Sequence, residues 1–112
     1  MADIQIPKRT KKEKEALISQ VIEMMAIPGK SGEEQEIAEY IRNQLVDAGA
    51  DPKAIRTDTA HRKTRIKGEV GNLVFKLPGT YKAPRRMLSA HMDTVPICEG
   101  CRPKRAGMRV TS

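Results

Sequence analysis

At 112 residues the chain is one domain or part of one, able to bury only a modest core. With 38% hydrophobic residues, one Phe, two Tyr and no Trp, that core must rest on Ile, Leu, Val, Met and Ala, and no run is apolar enough for a membrane span or a signal peptide. The net charge of +7 raises nucleic-acid binding, but the positive charge is dispersed, and aromatic residues for base stacking are nearly absent.

Residues 1–10 carry Pro7 and most of the one dense basic run, Lys8-Arg9-Thr10-Lys11-Lys12, and read as a loose N-terminal arm. From Lys11 the pattern turns helical. Leu17, Val21 and Met25 recur every four residues with Ile18 and Ile22 beside them, predicting a helix with one apolar stripe turned to the core. Ile27-Pro28-Gly29 stops it. Ser31-Gly32-Glu33-Glu34 predicts a capping box, with Ser31 as N-cap and Glu34 at N3. Ile37, Ile41 and Leu45 carry the second helix, and Gly49 suits its C′ position.

After Asp51-Pro52 the chain becomes extended. Ile55 to Thr59 predicts a first strand. His61-Arg62-Lys63-Thr64-Arg65 predicts an exposed connection, with His61 a solvated surface histidine. Leu73 to Leu77, closed by Pro78-Gly79, predicts a second strand. Met87-Leu88-Ser89-Ala90-His91 predicts a third. The expected fold is α/β: two N-terminal helices packed on a small sheet that ends at His91. No repeats or low-complexity segments interrupt it.

His91-Met92-Asp93 carries the chemistry. Side chains alternate along a strand, so His91 and Asp93 share a face. An imidazole giving one nitrogen to a metal needs an acceptor on the other, and a carboxylate there fixes the tautomer. Spacing alone favours a satisfied core histidine with Asp93 capping a turn. Cys98 and Cys101 form a C-x-x-C pair, which in other settings is redox-active or half of a zinc knuckle. Here Pro96, Gly100 and Pro103 place it in a loop, away from the helix N-terminus that lowers a thiol pKa. Two free thiols are expected.

His91-Met92-Asp93-Thr94-Val95-Pro96, with Gly100 and Pro103 behind it, resembles the first metal motif of the zinc-dependent exopeptidases. That family includes peptidase T, the aminoacylases, the glutamate carboxypeptidases and succinyl-diaminopimelate desuccinylase. Ile27-Pro28-Gly29-Lys30-Ser31-Gly32-Glu33-Glu34 is similar to its proline-containing segment before a helix, and Gly71-Asn72-Leu73-Val74 to its Gly-Asn strand. The order agrees over roughly residues 12–112, and the flavour is that of the peptidase T-like, tripeptidase branch.

The resemblance implies that His91 ligates one zinc of a two-zinc site and that Asp93 is the catalytic carboxylate orienting it. In such sites the metals polarise a scissile carbonyl and acidify bound water, and a glutamate is the general base. The bridging aspartate, the Glu-Glu pair and the later ligands have no matching positions here. The chain is therefore expected to be the incomplete N-terminal portion, over residues 11–112, of a metallopeptidase catalytic domain. Zinc binding should be weak or absent, and hydrolysis of small peptides left to the complete relative. A cytoplasmic location and homo-oligomerisation through an exposed sheet edge complete the expectation. The alternatives are a non-catalytic interaction or dimerisation module and, behind it, a basic nucleic-acid binder.

Overall fold

The structure, a computed structural model, describes residues 7–112. The expected N-terminal arm thus lies mostly outside the described residues. Helix α1 (Lys11–Ala26) begins where the Thr10 hydroxyl accepts the Glu13 N–H at 3.1 Å, satisfying one of the donors a helix start leaves free. It ends where Ile27, held extended by the following Pro28, leaves the helix.

Helix α2 (Gln35–Asp47) starts later than its sequence signal. The expected capping box does not form. The Ser31 hydroxyl donates to Asp93 instead, and Glu34 accepts the Gly32 N–H at 2.9 Å within its own turn. The C-terminus follows the sequence closely. Gly49 adopts φ +105°, its N–H reaches the Val46 carbonyl at 2.9 Å, and Ala50 reaches Leu45 at 2.9 Å. These two bonds close the last turn as a left-handed C′ glycine allows.

Strand β1 (Ile55–Thr57) pairs antiparallel with β2 (Leu73–Phe75), Ile55 opposite Phe75 and Thr57 opposite Leu73. Beyond the ladder, Asp58 donates its N–H to the Asn72 carbonyl at 3.1 Å, and its carboxylate accepts from the Asn72 N–H at 2.8 Å and Nδ2 at 2.9 Å. The same carboxylate accepts the Ala60 N–H at 3.0 Å, starting the 3-10 turn Ala60–Arg62. A second ladder, β3 (Lys104–Ala106) with β4 (Arg109–Thr111), turns at Gly107-Met108. Sequence periodicity did not signal it, since half of its residues are basic and all are exposed. Arg105 ties this hairpin to α1 through its two terminal guanidinium nitrogens, both donating to Glu15.

Among the described residues the architecture is mixed α/β: two helices and two small antiparallel sheets. The packing differs from two helices laid on one sheet. The buried apolar side chains are Ile37 and Ala38 of α2 with Ile55 of β1, and Arg42 of α2 clamps the Ile55 and Pro52 carbonyls at 2.9 and 3.0 Å. Helix α1 buries no residue, and Leu17, Val21 and Met25 remain exposed. Of its expected core stripe Ile18 and Ile22 are half-buried, and α1 meets α2 through polar groups as well: Gln20 with Gln44, and Tyr40 donating to Glu23.

The expected strand Met87–His91 does not form. Among the described residues no neighbour pairs with it, and Met87 and Leu88 stand 86% and 101% exposed. An apolar run that is not hydrogen-bonded to a neighbouring strand has nothing to hold it in a sheet. Pairing appears only beyond it, where Thr94 bridges Lys30 in parallel. No helix among the described residues is long and apolar enough to cross a membrane.

Candidate functional site

The His91–Asp93 segment is anchored from the loop between the helices. Thr94 donates its N–H to the Gly29 carbonyl at 2.8 Å, and Ser31 donates to the Thr94 carbonyl at 3.2 Å. Gly29 can approach this closely because it lacks a Cβ, which would meet Ile37 Cγ2 at 3.0 Å. Lys30 reaches across to Glu99 at 3.3 Å and Glu33 at 3.4 Å, and these anions hold its ammonium above the usual lysine range, Glu99 foremost. The Ser31–Gly32–Glu34 turn thus serves the His91 loop rather than the start of α2.

Within that frame His91 Nδ1 lies 3.0 Å from the Asp93 main-chain oxygen and 3.1 Å from Asp93 Oδ1. Both neighbours only accept, so Nδ1 is the nitrogen that carries the proton, and in the neutral ring Nε2 keeps its lone pair. The imidazole is 86% exposed. The Asp93 carboxylate receives the Ser31 hydroxyl on Oδ2. That bond lowers its pKa, opposed by partial burial and reinforced by His91. The two residues singled out in the sequence therefore touch, with the carboxylate on one ring nitrogen and the other left open.

The site borders a cavity of about 810 Å³ that is also lined by Asp58, His61, Asn72, Ile66 and Met87. His61, expected to be solvated at the surface, is instead half-buried, and its Nδ1 is buried without a hydrogen-bond partner among the described residues. The 3-10 turn begun by Asp58 carries the ring inward. Its sequence neighbours are basic and polar, which is why it reads as a surface residue. Asp58 is held below the usual carboxylate range by the Ala60 N–H first and by the Asn72 donors next.

Cys98 and Cys101 are free thiols, as expected, on the 3-10 turn Pro96–Cys98 and just beyond it. They do not line this cavity. Among the described residues no three His, Cys, Asp or Glu side chains gather as a metal site. His91 and Asp93 give one ligand and its orienting group, which falls short of the four-coordinate shell zinc takes. No family model matches the chain, and no curated protein or solved structure is significantly similar to it.

Proposed function

We propose that this chain is the N-terminal portion of a zinc-exopeptidase-type catalytic domain, supplying one metal ligand, His91, and the carboxylate that orients it, Asp93. The observation that supports the reading is the Asp93 contact on Nδ1, which leaves Nε2 as the ligating nitrogen. The described residues do not complete a zinc site, so no hydrolytic step is assigned to this chain. Zinc held by His91 alone is weak, and small peptides are substrates only of a completed site.

Zinc titration against a chromophoric chelator tests this, in a Cys98→Ser/Cys101→Ser background so that thiols do not compete. Weak binding lost in His91→Ala is expected, while identical curves for the two proteins would sink the ligand role. Tripeptide hydrolysis by the pure chain, abolished by His91→Ala, would overturn the assignment of an incomplete site.

A second reading, a non-catalytic interaction module, is favoured by the uncovered Leu17, Val21 and Met25 face of α1. It requires a defined oligomer or complex in sedimentation, indifferent to zinc and to His91→Ala.

A further inference from the structure

Cys98 and Cys101 are the two cysteines of the chain, and neither lines the cavity beside His91. Between them the backbone reverses. Cys101 donates its N–H to the Cys98 carbonyl at 3.1 Å, Glu99 sits at φ −62° and ψ 132°, and Gly100 sits at φ +74°. That bond and those angles make a type II β-turn, with a cysteine at its first and last positions. Its third position needs a positive φ, which glycine supplies without strain.

A β-turn holds the Cα atoms of its end residues within about 7 Å. A disulfide joins Cα atoms about 4.4–6.8 Å apart, so the backbone already brings the two cysteines to bridging range. The turn is braced from both sides. Cys98 and Glu99 donate their N–H groups to the Val95 and Pro96 carbonyls at 2.9 and 3.0 Å. The Glu99 carboxylate holds Lys30 at 3.3 Å, and just past the turn Arg102 donates its N–H to the Ser112 hydroxyl at 3.2 Å. The two thiols differ in access. Cys98 is exposed, while Cys101 is half-buried and shares a pocket wall with Ile22 and Ala26 of α1. Among the described residues no third ligand joins them, which leaves the pair short of a zinc shell, whereas a disulfide needs only the two.

We propose that Cys98 and Cys101 form a redox modification site that reacts with small-molecule disulfides and closes reversibly into a disulfide across the turn. The Cys98 thiolate attacks the small disulfide, forming a mixed disulfide and releasing one small thiolate. The Cys101 thiolate then attacks the Cys98 sulfur, forming the Cys98–Cys101 bond and releasing the second. Two protein thiols are oxidised, one small disulfide is reduced to two thiols, and the two cysteine protons end on the leaving thiolates. Zinc and His91 take no part, so the proposal stands or falls separately from the metal reading.

The full chain is equilibrated with mixtures of reduced and oxidised glutathione, quenched with acid and weighed by mass spectrometry. The expected product is a monomer lighter by two hydrogens, restored by dithiothreitol. Fixing the backbone of one residue is worth about tenfold in an equilibrium constant. The fold already fixes Glu99 and Gly100, so the oxidation constant in native buffer should exceed that in denaturing urea by about tenfold or more. By the same cycle the oxidised chain should unfold at a higher urea concentration than the reduced one. A Cβ at Gly100 meets nothing within 4 Å, so Gly100→Ala should fold, yet its disfavoured positive φ should lower the native oxidation constant about tenfold. Cys101→Ser, deprived of the second thiol, should accumulate a glutathione adduct on Cys98. Equal constants in native buffer and urea, or a parent chain that stops at the mixed disulfide or couples mainly into covalent dimers, would overturn the site. So would Gly100→Ala that oxidises as readily as the parent, or Cys101→Ser that gathers no adduct.

Discussion

Substituting Gly71 by alanine tests the joint on which the site rests. Gly71 is buried, and a methyl there would penetrate the van der Waals shell of the Asp58 carbonyl oxygen and lie 2.7 Å from its carbonyl carbon. Carbon atoms rest about 3.5–4.0 Å apart, so the two segments must separate by about 1 Å. The Asp58 N–H to Asn72 bond at 3.1 Å and the two Asn72 donations to Asp58, at 2.8 and 2.9 Å, would stretch past useful length. The obstacle is backbone rather than a flexible side-chain tip, so it cannot swing away. The expected cost is about 2–3 kcal/mol, the upper part of the range for overpacking. In a chain of this size that lowers the melting temperature by about 10 °C. Urea and thermal unfolding followed by circular dichroism measure it, with Gly79→Ala as the control. Nothing lies within 4 Å of a methyl at Gly79, so that variant should stay within about 0.5 kcal/mol of the parent. Equal midpoints for the two variants would refute the argument that the Asp58–Gly71 approach excludes a side chain.

Two further outcomes follow from the core and the charges. Ile55→Ala, at a side chain 3% exposed, should cost about 2–5 kcal/mol, whereas Leu17→Ala, 42% exposed, should cost well under half as much; comparable losses would mean that α1 is buried in solution. The Asp58 carboxyl titrates below its ordinary value in the folded chain, so its contribution is fully present above the unfolded value and is lost as pH falls through the folded one. The urea midpoints of the parent and of Asp58→Ala should therefore converge on acidification through that window, and a gap that stays constant would count against the Asp58–Asn72 clamp.

The helices were legible because local rules decide them. Pro28 and Gly49 act within a few residues of themselves, and the 3.6-residue period of Ile37, Ile41 and Leu45 survives any tertiary context. What failed depended on partners remote in sequence. Ser31 has the chemistry of an N-cap, but Asp93, 62 residues away, takes its hydroxyl. Met87–His91 has the composition of a strand but pairs with no neighbour among the described residues. His61 sits among basic residues, yet the 3-10 turn started by Asp58 carries it inward. At the candidate site, the proximity of His91 and Asp93 was readable from their spacing of two, while the clamp that holds them from Gly29 to Ser31 was not.

That clamp also sets an order of events in folding. The Ser31–Asp93 contact closes a loop of 62 residues, while the β1–β2 ladder pairs Ile55 with Phe75 only 20 apart. Loop-closure entropy grows with the logarithm of loop length, so closing the long loop first costs about 1 kcal/mol more than closing the short one. Once β1 and β2 have zipped, the loop between Ser31 and Asp93 is effectively shortened by the segment they enclose. The imidazole of His91 is thus among the last groups to be positioned, and anything that delays the inner ladder delays the site with it.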